Sequence, residues 1–238
     1  MPMKTTKAAR VLGIRPDQHK LFYNMMFSQV SGMVLATLAL STHALKAPIA
    51  GYGVFVPQWE FEVTPGGDHI TLNGTVQQVV AQLNESNPMV IQAWHLESAV
   101  EAQLAAHAAE RRAAADSPYD RERLQCNMPR FDKGRVNAMA EGIAYLKDVK
   151  GKPVNGPGPG MCGRVSCSWQ TSIWWCNDDK VTKELESFSV IAYGAQMVYD
   201  YCPLEKFQEY FANGQAFHKT ENINVIIRGT NMKDDDRC

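Results

Sequence analysis

The chain has 238 residues, 45% hydrophobic and 21% charged, and its 24 basic and 25 acidic side chains leave a formal net charge of −1. That balance excludes wholesale disorder and gives no electrostatic case for a nucleic-acid binder or a protein drawn to anionic membranes. All six cysteines follow residue 125, at Cys126, Cys162, Cys167, Cys176, Cys202 and Cys238. An even, clustered set with no Cys-x-x-Cys spacing reads as a disulfide framework rather than a zinc or thioredoxin-like site.

Residues 1–44 read as a leader and signal peptide. The first 24 residues are basic, with Asp17 the only acid, and an apolar run from Val30 to Leu40 follows. That run is too short to span a bilayer, which needs roughly 20 apolar residues. It suits the apolar core of a secretory signal, and Ala44 stands at the expected cleavage position. The basic leader is long for such a signal, so translation is expected to start at Met25 or Met26.

Residues 45–112 read as a pro-segment. Trp59-Glu60-Phe61-Glu62-Val63 alternates, Pro65-Gly66-Gly67-Asp68 turns, and His69–Leu72 returns, which predicts a hairpin. Thr75 is placed to cap a helix carrying Val76, Val79, Val80 and Leu83, so the unit reads β-β-α. Asn73 and Asn84 begin two N-glycosylation sequons within it. Residues 89–115 are Ala- and Glu-rich, and a long exposed helix is expected there with Arg111-Arg112 at its end. That pair suits either kexin-type proteolysis, which would leave every cysteine in the C-terminal fragment, or the cationic end of a solvated helix.

Residues 113–238 read as a disulfide-bonded module. Val136, Met139, Ala140, Ile143 and Leu146 make one apolar helical stripe. The Gly/Pro-rich stretch 151–160 breaks regular structure, then 164–168 and 172–176 read as a hairpin. Ser187 or Ser189 caps a helix with Phe188, Ile191, Ala192, Ala195, Val198 and Tyr199 on one face, stopped by Pro203. Residues 215–219 and 223–227 flank a turn. The expected fold is α+β, an α-β-β-α-β-β two-layer sandwich with a four-stranded antiparallel sheet and two helices on one face.

In that plan Cys202 lies on the buried helix stripe and Cys167 on the helix-facing side of its strand, so Cys167–Cys202 is the favoured pair. Cys162–Cys238 and Cys126–Cys176 would then tie the module's ends to its sheet. Alternation sends Trp174 and Trp175 to opposite faces of that sheet. One of them, beside Arg164, would form an exposed recognition surface.

The runs Gly142–Leu146, Cys162-Gly163-Arg164-Val165-Ser166-Cys167-Ser168, Ile173-Trp174-Trp175-Cys176-Asn177-Asp178 and Asn224–Gly229 resemble uncharacterised cysteine-rich small secreted proteins of filamentous fungi. The α/β layout is similar at fold level to killer-toxin-like and necrosis-inducing effector-like sandwiches. The resemblance implies a lineage and a compartment, secreted and extracellular, without an activity.

Catalytic candidates are thin. Ser166 and Ser168 lie in a strand without a nucleophile elbow, and His218 alone on a hairpin suits a hydrogen-bonded structural role. Asp178-Asp179 and Asp234–Asp236 lack calcium-loop spacing. The expectation is a secreted, monomeric, effector-like or toxin-like binding protein with no cofactor and a protein, glycan or membrane target outside the cell. The alternatives are a small secreted hydrolase and a wall- or surface-associated structural protein.

Overall fold

A computed structural model describes residues 45–62, 67–93, 117–206, 209–230 and 237–238. The leader with Ala44, the dibasic pair Arg111-Arg112, the Ala-rich segment beyond 93 and the Asp234–Asp236 run lie outside the described residues.

The N-terminal elements are β1 (Gly53–Phe55), the hairpin β2 (Gln58–Glu62) and β3 (His69–Asn73), then α1 (Val76–Ser86) and the short α2 (Pro88–Ala93). The β2–β3 register pairs Trp59 with Leu72 and Phe61 with Ile70, as alternation requires. Thr75 precedes α1, and its backbone N–H donates to the Gln78 side chain at 2.9 Å, supporting the first turn. Pro88 opens α2, where its missing N–H is harmless.

Next come β4 (Tyr119–Cys126), β5 (Gly134–Arg135), α3 (Val136–Asp148), β6 (Val154–Asn155), β7 (Met161–Ser168), β8 (Thr171–Asn177) and β9 (Lys183–Glu184). The chain closes with α4 (Phe188–Tyr201), β10 (Leu204–Lys206), β11 (Glu209–Ala212), β12 (Gly214–His218) and β13 (Ile223–Gly229). The apolar stripes of α3 and α4 are buried at the expected spacing.

The main sheet has six strands rather than four, in the order β1-β7-β8-β13-β12-β4. Its four central strands pair antiparallel, β4 adds antiparallel at one edge, and β1 adds parallel at the other. Small sheets β10-β11-β5 and β6-β9 brace the loops. The last pairing places regular structure inside the Gly/Pro-rich stretch, where Asn155 is fully buried and donates to the Met161 and Trp175 carbonyls.

Both faces of this sheet are covered. On one, α3 and α4 pack with α1, and the core joins Ile143, Leu146, Ile191, Val198, Val225 and Trp175 to Trp59, Phe61, Val76, Val79 and Leu83. Trp59 stacks on Phe188 with centroids 4.0 Å apart and planes 5° from parallel. On the other, Leu45, Ala47, Ile49, Tyr52 and Val54 lie with Met128 and Phe131 over Trp174, Cys162, Cys176 and Ile226. Residues 45–93 therefore clasp the cysteine-bearing part from both sides, and a boundary at 112 does not separate two cores.

All six cysteines are paired, as Cys126–Cys202, Cys162–Cys176 and Cys167–Cys238. The expected Cys167–Cys202, Cys162–Cys238 and Cys126–Cys176 are each corrected. The reason is a bulge in β7: the register steps from Arg164↔Trp174 to Ser166↔Ile173, so one extra residue reverses the alternation after Val165. Ser166 then faces the helices, where a Cβ on Gly142 would meet its Oγ at 2.4 Å. Cys167 turns to the opposite face, away from Cys202, and meets Cys238. Cys162, which precedes the bulge, and Cys176 of β8 are direct cross-strand neighbours with Cα atoms 4.0 Å apart.

Candidate functional site

Trp174 and Trp175 do face opposite sides of the sheet, and both are buried, at 0% and 1% exposure. Trp175 joins the helix-side core and meets Phe55 edge-on at 6.1 Å. Trp174 lies under the N-terminal arm, its indole N–H donating to Ser172 Oγ at 3.0 Å. Arg164 spreads beside it, 5.9 Å from its ring centroid, and donates to the Arg237 carbonyl. Neither tryptophan is therefore exposed beside Arg164 as expected: residues 45–54 cover Trp174, and the helix-side core encloses Trp175.

Among the described residues the exposed tryptophan is Trp169, at 75% exposure on the tip of the β7–β8 hairpin. Ser168 pairs with Thr171, so the loop is two residues, Trp169 and Gln170, with φ of 44° and 60°. Two left-handed central residues mark a type I′ pattern, which matches strand twist but favours Asn-Gly. A side chain held in that region costs about 1–3 kcal/mol. Trp169 recovers little of this by packing.

The tip persists because its base is tied down on every side. The Thr230 N–H donates to the Gln170 carbonyl at 2.8 Å. The Arg135 N–H donates to Thr171 Oγ1 at 2.8 Å. Gly134 lies so close that a Cβ there would stand 2.5 Å from Thr171 Cγ2. The Cys167–Cys238 disulfide staples the C-terminal residue to the strand just below. Lys133 and Arg135 are exposed around this base. Glu141, half-buried on α3 beside Ser168, has its carboxyl raised above the ordinary range by desolvation, an effect that the Ser168 hydroxyl partly offsets.

Chemically, this tip presents a flat indole on a rigid, polar-rimmed platform. That is an arrangement for contact rather than bond making. No protein-family model matches the chain, and neither a curated protein nor a solved structure matches it.

The catalytic candidates do not assemble. Ser166 is buried and bonded to Gln77 of α1, whose Oε1 also accepts from the Cys167 N–H at 2.9 Å. His218 sits on β12, where its Nδ1 accepts from the backbone N–H groups of Thr220 and Glu221 at 3.3 and 3.0 Å. Burial lowers its pKa, so the neutral ring is the structural form. Asp178 accepts from Asn224, and Asp179 pairs with Lys183, which lowers its pKa. Among the described residues no group of acids, histidines and cysteines is placed to hold a metal. Both sequon asparagines, Asn73 and Asn84, are exposed.

Alternation marks Trp174 and Trp175 but misses Trp169. Its only signal is position: two residues between paired strands, where a turn must form whatever occupies it.

Proposed function

We propose that the chain is a secreted, disulfide-stapled recognition protein of the effector-like or toxin-like kind, presenting Trp169 to a target outside the cell. The observation that carries this reading is an exposed tryptophan retained in a left-handed turn, on a hairpin anchored by a disulfide and by two bonds to neighbouring segments. Nothing in its packing accounts for it, whereas a contact residue held rigid before binding loses less entropy on binding. Three disulfides support an oxidising compartment, and the resemblance to small secreted fungal proteins agrees with that setting.

The test compares native protein with W169A on arrays of extracellular glycans and proteins and on lipid vesicles. The native protein should bind one class, and W169A should lose at least tenfold in affinity with its thermal midpoint nearly unchanged. Equal binding by both proteins refutes the reading.

A further inference from the structure

A second feature lies on the sheet face opposite the helices. Ala216 of β12 faces the helix-side core, so Gln215 and Phe217 point to the other side. There the Arg130 guanidinium donates to Gln215 Oε1 at 2.9 Å, Gln215 Nε2 donates to Asn224 Oδ1 at 3.0 Å, and Asn224 Nδ2 donates to Asp178 Oδ2 at 2.7 Å. The direction of this relay is unambiguous, since a guanidinium only donates and a carboxylate only accepts. Gln215 is 3% exposed and Asn224 is fully buried, yet Arg130 at the end is exposed. Buried amides are costly unless satisfied, and this chain of them holds one surface guanidinium in a set orientation.

Arg123 joins it. The β4–β12 register runs from Gln215↔Gln125 to Phe217↔Asp120, a bulge that throws Arg121 to Leu124 out of the ladder. Arg123 thereby lies over the Phe217 ring, 5.0 Å from its centroid, while Arg130 lies over Phe131 at 4.9 Å. Gln215 and Phe217 are two positions apart on one strand face, about 7 Å. A cation–π contact holds each guanidinium against a ring and still leaves it N–H groups to donate. Among the described residues neither arginine has a carboxylate partner. The nearby acids are Asp120, whose Oδ1 accepts from the Glu122 N–H, exposed Glu122 and Asp132, and Asp178 at the far end of the relay.

We propose that Arg123 and Arg130 form an oxyanion-binding pair that takes a carboxylate, sulfate or phosphate group of an extracellular ligand. It deepens the recognition reading by naming a ligand chemistry, and rests on that reading only for the ligand's location. Two exposed guanidiniums anchored to one face of the sheet, one by Gln215 and one over Phe217, offer the donors that an oxyanion with several acceptor oxygens takes.

The experiment titrates the full chain with sodium sulfate, sodium phosphate or oligogalacturonate at constant ionic strength, following arginine Nε–Hε resonances. The Arg123 and Arg130 signals should shift saturably, and R123A and Q215M should each weaken binding at least tenfold while the fold's amide spectrum is kept. The anion with the tightest saturation identifies the group. An unsaturable drift equal to that of exposed Arg135 for all three anions overturns the proposal. W169A should titrate like the native protein, so loss of the Trp169 contact and loss of this site are separately visible.

Discussion

Replacing Trp59 with alanine asks whether residues 45–93 belong to the fold. Trp59 is 1% exposed, stacks on Phe188 and donates its indole N–H to the Gly74 carbonyl at 2.8 Å. Truncation removes about 150 Å² of buried surface, which at ~25 cal/mol/Å² is worth about 4 kcal/mol. That falls within the roughly 3–5 kcal/mol seen for large aromatic-to-alanine changes in cores. At about 2–4 °C per kcal/mol for a domain of this size, the midpoint should fall by about 8–16 °C. The assay is calorimetry of oxidised protein with its free thiols counted, and W169A serves as a control expected to shift by a few degrees at most. A W59A protein that melts with the native one would refute the clasp and restore a dispensable pro-segment.

Other predictions concern the core, the turn and the staples. Tyr119 is fully buried with its hydroxyl unpartnered, and burial raises its pKa strongly, so Y119F should stabilise the fold by about 1 kcal/mol in denaturant unfolding. His218 is held neutral with a lowered pKa. As pH falls below 6.5, the unfolded chain takes the proton first, and stability should drop until the lowered folded value is passed. In H218N, whose side-chain oxygen still accepts, the loss between pH 7.5 and 5.5 should shrink, and an unchanged slope would count against this role. Graded reduction with differential alkylation should label Cys167 and Cys238 first, because Cys238 is exposed whereas Cys162 and Cys176 are completely buried. Earlier labelling of Cys162 and Cys176 would contradict the packing.

The helices α3 and α4 are legible because five or six apolar residues recur at helical spacing, and that pattern has no competing strand reading. The strands β7, β8, β12 and β13 are legible for the same kind of reason. What the pattern hides is non-local. A single extra residue at Val165 reverses every side chain after it, and no composition marks a bulge in Arg-Val-Ser-Cys. The covering of Trp174 comes from Leu45, Ile49, Tyr52 and Val54, a short arm without periodicity whose role exists only once it lies on the sheet. Trp169 falls between the two strands of the expected hairpin, but its exposure follows only from the register, which narrows that connection to two residues. The Arg130 relay joins Arg130, the β12–β13 hairpin and Asp178, three segments distant in sequence, so no local window contains it.

The most direct test of the recognition reading labels the protein with 5-fluorotryptophan, assigns Trp169 among the five tryptophans with W169F, and adds the ligand class found on the arrays. The Trp169 fluorine resonance is expected to shift or broaden while those of buried Trp59, Trp174 and Trp175 stay in place. Binding that leaves the Trp169 resonance unmoved would contradict the recognition reading.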